Sequence, residues 1–248
     1  MDTIFLGDLS TPAGRRNAWI DALFVDHAVL RLGWTNFAPV KPGALYRSNH
    51  PVPFQLAKFR RRVGINTLIN LRGECRNGSD ALSREAARQL GLDFYDMALE
   101  SRGAPHRDRI LRLAEIIRTM RRPALVHCKS GADRAGIASA LFVLIEGGSV
   151  AEARRQLSLR FGHIRQSNTG ILDAFLDMYE EEGGGMAFLD WVRDVYREQA
   201  LRERYARETR NRPAGGSRGS STTGCSPGVT GRRRGRFRWA VRPRAALR

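Results

Sequence analysis

The chain has 248 residues, 42% of them hydrophobic, which is enough for one core domain with appendages. Its net charge of +17 is unevenly placed: residues 211–248 hold ten arginines and no Asp, Glu or Lys, so most of the surplus lies there. Three widely spaced cysteines, Cys75, Cys128 and Cys225, exclude a disulfide framework or zinc site as the organising device, and Met1–Arg16, with an acid at position 2 and no long apolar run, predicts neither a signal peptide nor a membrane span. In chain order, residues 1–40 are expected to form a helical extension and 41–182 the main domain. Short strands are predicted at 43–48, 65–73, 92–99 and 123–128 from their β-branched, apolar content. Helices are predicted at 54–63, 81–90 with Gly91 as a stop, and 107–120, where Ile110, Leu113, Ile116 and Ile117 share a face. From 134 the pattern turns wholly helical: a nearly all-apolar helix to Ile145, one capped by Ser149 and Glu152, one at 170–182, and a C-terminal helix within 183–210 that Gly183–Gly185 would release. Residues 211–248, rich in Gly, Ser, Pro and Arg, are expected to be disordered. The fold class is therefore α/β, a mainly parallel central sheet flanked by helices with a helical C-terminal half.

The stretch Ala124–Ile145 carries the chemistry. An apolar strand ends at His127 and a buried helix starts near Arg134, so Cys128–Asp133 forms a loop at the carboxyl end of a strand, where open α/β sheets bind ligands. With Gly131 between Ser130 and Ala132, such a loop can turn successive backbone N–H groups inward while the helix adds its positive end. Because 39 arginines make a bare Cys-x5-Arg spacing unspecific, the weight rests on the conjunction of strand, His, Cys, Gly, Arg and apolar helix. A sulfur at a helix N-terminus beside Arg134 is favoured as the reactive thiolate. The Arg134 fork holds two phosphoryl oxygens, the amides of Lys129 to Arg134 hold the rest, and Cys128 is aligned for in-line attack to give a phosphocysteine that water hydrolyses. No cofactor or metal is implied.

His127–Gly136, "HCKSGADRAG", resembles the active-site signature of the cysteine-dependent protein tyrosine and dual-specificity phosphatases. Residues 43–74, with "YRS" and "NLRGE" on successive strands, and 163–179, "HIRQSNTGILDAFLDMY", resemble the flanks of the small bacterial dual-specificity-like branch, so the similarity spans about residues 40–180. The resemblance implies a protein tyrosine phosphatase-like fold, Cys128 as nucleophile, Arg134 as clamp, and Lys129, Ser130, Gly131, Ala132 and Asp133 as the phosphate loop. One departure is Ala135, where many members have a Ser or Thr that assists breakdown of the phosphoenzyme.

The general acid is open among four carboxylates. Asp133 is favoured because myotubularin-like phosphatases also have Asp before the loop Arg; Asp96 follows, then Glu100 and Asp108. Lys129 and Arg72 are expected to make the pocket more positive than phosphotyrosine requires, which keeps a phosphoinositide or inositol phosphate substrate beside a phosphorylated protein. Arg47, like Arg72, reads as either a pocket charge or a solvated strand-end charge, His127 as hydrogen-bonding support of the loop, and His163 as a surface or interhelical residue outside the site. A rhodanese-like sulfurtransferase and a weakly active phosphate-binding adaptor are the remaining alternatives. The arginines of 211–248 suit contact with an anionic surface or nucleic acid, and the expected location is the cytoplasm.

Overall fold

A computed structural model describes residues 3–210, which fall in one compact unit. The expected disordered tail at 211–248 lies outside the described residues. Helix α1 (Pro12–Ile20) is capped by Thr11, whose hydroxyl accepts from Gly14 N, and runs into a wide turn at Asp21–Val25 and a short 3-10 turn at Ala28–Arg31. There follow β1 (Ala38–Lys41), β2 (Leu45–Ser48), α2 (Pro53–Val63), β3 (Thr67–Asn70), α3 (Gly78–Gln89), β4 (Asp93–Asp96), α4 (Arg107–Thr119), β5 (Ala124–His127) and α5 (Asp133–Ile145). The chain then continues as α6 (Val150–Arg154), α7 (Ile171–Glu182), α8 (Phe188–Asp194) and α9 (Glu198–Arg210).

The sheet order is β1-β2-β5-β3-β4, antiparallel only between β1 and β2. The sequence pattern did not mark β1: its Pro39 and alternating exposure suit an edge strand, not an apolar run. Strands β3 and β5 are buried at all four positions, as central parallel strands covered on both faces must be. Leu68 and Leu125 pack with Leu56, Phe59, Ala86 and Ala87 of α2 and α3. On the other face Ile69 and Val126 meet Ile110, Leu113, Leu141 and Phe175 of α4, α5 and α7. The helical segment after 183 is not released. Trp191, Tyr196 and Leu201 are fully buried in that second core, and the chain breaks between α8 and α9 where Tyr196 packs edge-to-face with Phe175 and donates its hydroxyl to the Pro105 carbonyl at 2.8 Å. Ser149 and Glu152 form the expected reciprocal cap on α6. Among the described residues no helix is long and apolar enough to cross a membrane.

Candidate active site

The carboxyl ends of β2, β3 and β5 meet beneath residues 128–134. The loop carbonyls are tied from outside: Asn36 Nδ2 donates to Ser130 O at 3.1 Å, His50 N to Lys129 O at 3.2 Å, and Arg47 Nη2 to Gly131 O and Ala132 O at 2.7 and 3.1 Å. Four consecutive carbonyls held outward leave the amides to face the other way, and Gly131 N accordingly donates to Cys128 Sγ at 3.2 Å. Gly131 has φ +78°, and a Cβ there would lie 2.7 Å from Asn49 N and 2.8 Å from Ser48 C, so backbone, not a movable side chain, forbids any other residue.

Arg47, open in the sequence between a pocket charge and a solvated strand-end charge, is fully buried. Besides the two loop carbonyls it donates to Gln156 O at 2.6 Å and lies 3.8 Å over the Phe161 ring. Burial brings its pKa down to about 10, with the negative Cys128 and Asp133 working in the opposite sense. It is a structural pillar of the loop that local sequence gave no means to see, because its partners lie 84 to 109 residues away. His127, expected as hydrogen-bonding support of the loop, is buried with neither ring nitrogen hydrogen-bonded among the described residues; its ring is tilted against that of His50 at 4.6 Å, and burial and the nearby Arg72 charge hold it neutral with a pKa of about 3. His50 accepts from Arg72 Nη1 at Nδ1 and is likewise pushed well below the ordinary histidine value by burial and by His127.

Asp133 opens α5 inside the loop, and its Oδ1 lies 2.8 Å from His163 Nδ1, while His163 Nε2 lies 2.8 Å from Asp173 Oδ2 on α7. Burial opposes the imidazolium, but the bonds to Asp133 and Asp173 outweigh it and raise His163 to about 9, so at neutral pH the ring donates to both carboxylates. His163 is therefore a buried bridge to the loop and not a surface residue. Two of the other acid candidates are engaged elsewhere and the third points into solvent. Asp96 is ion-paired to Arg84 through both oxygens and accepts from Asn70, Glu100 lies 2.6 Å from Arg109, and Asp108 is fully solvated at the start of α4. Ala135 is completely buried and offers no hydroxyl.

Arg72 pairs with a residue that sequence reasoning missed. Its Nη1 and Nη2 donate to Asp26 Oδ2 and Oδ1, each at 2.9 Å. Arg31 Nη2 donates to the same Oδ2 at 2.9 Å and its Nη1 to Asp26 O at 2.6 Å, while Lys129 Nζ stands 3.6 Å from Oδ1. Burial alone would raise the pKa of Asp26; Arg72 and Arg31 outweigh it and hold the carboxyl far below its ordinary value.

Residues 56–170 match a family described as "DSP-PTPase phosphatase fused to NAD+ Kinase". Over those residues the chain is similar to the cysteine-dependent tyrosine and dual-specificity phosphatases. It is 30% identical over 106 residues to the inositol diphosphatase DSP4 of Arabidopsis thaliana, covering 41% of this chain and 51% of that protein, so it spans about half the length of this curated relative. Among solved structures it is similar to TpbA of P. aeruginosa (18% identity, TM-score 0.48, covering 69% of this chain and 91% of that one). It is also similar to the S. cerevisiae phosphatase SIW14 core in complex with citrate (20% identity, TM-score 0.45, 60% and 87% covered). Asp26, Arg31, Asn36 and Arg47 all precede the residues that carry the phosphatase family match.

Proposed function

We propose that the chain is a phosphomonoester hydrolase acting through a cysteinyl-phosphate at Cys128, on phosphotyrosine or other phosphoprotein substrates. The observation that carries this reading is the loop whose four carbonyls are tied outward and whose Gly131 amide meets Cys128 Sγ. In the first step the thiolate attacks phosphorus, the P–S bond forms, and the bond to the leaving oxygen breaks. The loop amides and the Arg134 fork hold the three equatorial oxygens throughout. Water then attacks phosphorus, the P–S bond breaks, the thiolate is regenerated, and the proton lost from water passes to solvent or a nearby base. A reduced cytoplasmic setting belongs to the proposal, since oxidation would remove the nucleophile.

The proton for the leaving oxygen is the point at which this site is unusual. Asp133 was the favoured donor, but an oxygen that accepts from an imidazolium is poorly placed to give a proton away, so bracing of α5 is the better role for it. Asp96 and Glu100 are each ion-paired to an arginine. With Asp96, Glu100 and Asp133 all engaged, the site suits substrates with acidic leaving groups, and this favours a second reading, an inositol diphosphate, whose terminal phosphoryl group passes to Cys128 while the remaining inositol-bound phosphate departs. The Arg31, Arg72 and Lys129 cluster beside the loop supports the same reading, as does the similarity to a protein named inositol diphosphatase.

The test is a rate panel of phosphopeptides, inositol phosphates and aryl phosphates, with Cys128→Ser and Arg134→Lys beside the parent. Cys128→Ser is expected to abolish turnover while retaining anion binding, and Arg134→Lys to lose both. Substantial hydrolysis by Cys128→Ser would overturn the nucleophile assignment.

A further inference from the structure

Asp26 stands among three cations. Both its oxygens are taken by the planar fork of Arg72, one also by Arg31, and Lys129, next in the chain to Cys128, faces the other. Bidentate capture by Arg with further cations around it is how proteins hold phosphate as well as carboxylate. Arg31, Arg72 and Lys129 face this one carboxylate, and a doubly charged phosphate group would bring more negative charge to the same position than Asp26 does. The carboxylate arrives at a joint between two short helical turns: a wide turn ends at Val25, His27 has φ +60°, and the short Ala28–Arg31 turn follows. The segment is pinned further along, where Thr35 O accepts from Asn49 N at 2.8 Å and Asn36 holds Ser130 and Phe161.

We propose that Asp26 is a specificity-determining residue, an internal anion that occupies a second phosphate subsite made by Arg31, Arg72 and Lys129 beside Cys128. A ligand carrying one phosphoryl group uses the loop alone and leaves Asp26 in place. A ligand with a second phosphate next to the first displaces the carboxylate, and Asp26 sets how strongly that second charge is required. The inference rests on the loop being the phosphoryl site proposed above.

The experiment compares orthophosphate with pyrophosphate, the smallest ligand that reaches both positions. Affinities are measured by titration calorimetry on the full chain carrying Cys128→Ser, with and without Asp26→Asn, so that the result does not depend on turnover. Removing the competing charge is expected to raise the preference for pyrophosphate over orthophosphate on the order of tenfold, the scale of one charge interaction in a partly screened site. An unchanged or reduced preference overturns the proposal. A second measurement needs no substitution at 26: pyrophosphate, and not orthophosphate, is expected to speed amide exchange across residues 21–31, and equal effects of the two ligands sink the displacement. Aryl phosphatase activity of the parent chain is measured separately. Its absence would count against the hydrolase reading while the binding preference still decides the role of Asp26.

Discussion

His163 holds a proton between two carboxylates that belong to different helices, so its charge joins the phosphate loop to α7. Its pKa is raised to about 9 from 6.5, and the stability it contributes is fully present below about pH 6.5 and is lost as pH rises through about 9. His163→Gln is expected to lower stability by about 3 kcal/mol, the low end for breaking a buried pair since Asp133 is partly exposed, and to flatten the alkaline fall in melting temperature between pH 7 and 10. A variant with the parent's alkaline profile would show the bridge to be without weight. The buried His127 acts in the opposite sense. Neutral when folded, with a pKa of about 3, it costs stability as pH drops below the 6.5 at which the unfolded chain takes up a proton. For Asp133 the bracing role predicts that Asp133→Asn slows hydrolysis of an alkyl phosphate and of an acidic aryl phosphate by similar factors. A loss on the order of 10² to 10⁴-fold confined to the alkyl ester would return Asp133 to the role of general acid.

At the scale of elements, β2 is the scaffold on which the loop is moulded. Arg47 ends in the loop carbonyls, and Asn49 and His50 just beyond the strand meet Thr35 and Lys129. A lysine at 47 keeps the charge but cannot serve acceptors on two sides at once, so Arg47→Lys is expected to raise KM for an aryl phosphate about tenfold with a smaller effect on kcat, as loss of one or two charged hydrogen bonds would. Equal fall of both parameters would point instead to loss of folded protein. Gly131→Ala, which strains a left-handed position against backbone, is expected to cost about 1–3 kcal/mol or more and to abolish phosphate binding. The strand, loop and helix around Cys128 were legible in the sequence because each is written locally, in an apolar run, a glycine and a second apolar run. What holds them was not. Arg47 meets partners 84 to 109 residues away, Asp26 meets Arg72 46 residues on, and His163 meets Asp133 30 residues back, and no periodicity records such pairings. The break before α9 was missed for a related reason: the run from 186 to 210 reads as one helix, and only the buried contact of Tyr196 with Pro105 divides it.

For the whole molecule, the residues before 40, expected as an extension, are part of the site's surroundings. Asn36 anchors the loop, and Asp21 ties the N-terminus to α3 through Gly78 N at 2.7 Å. Removing residues 1–36 is therefore expected to lower the melting temperature and weaken phosphate binding, whereas removing 211–248 is expected to leave aryl phosphatase activity unchanged; calorimetry and steady-state rates on the two truncations check both. The outward tie of the loop carbonyls has a kinetic corollary. A cradle already bonded to its surroundings has no chain left to order when a ligand arrives, so capture of orthophosphate should proceed in one exponential phase, its rate proportional to concentration with no plateau. A plateau in stopped-flow traces would mean that the mould must first open, and that its rest position is a closed door.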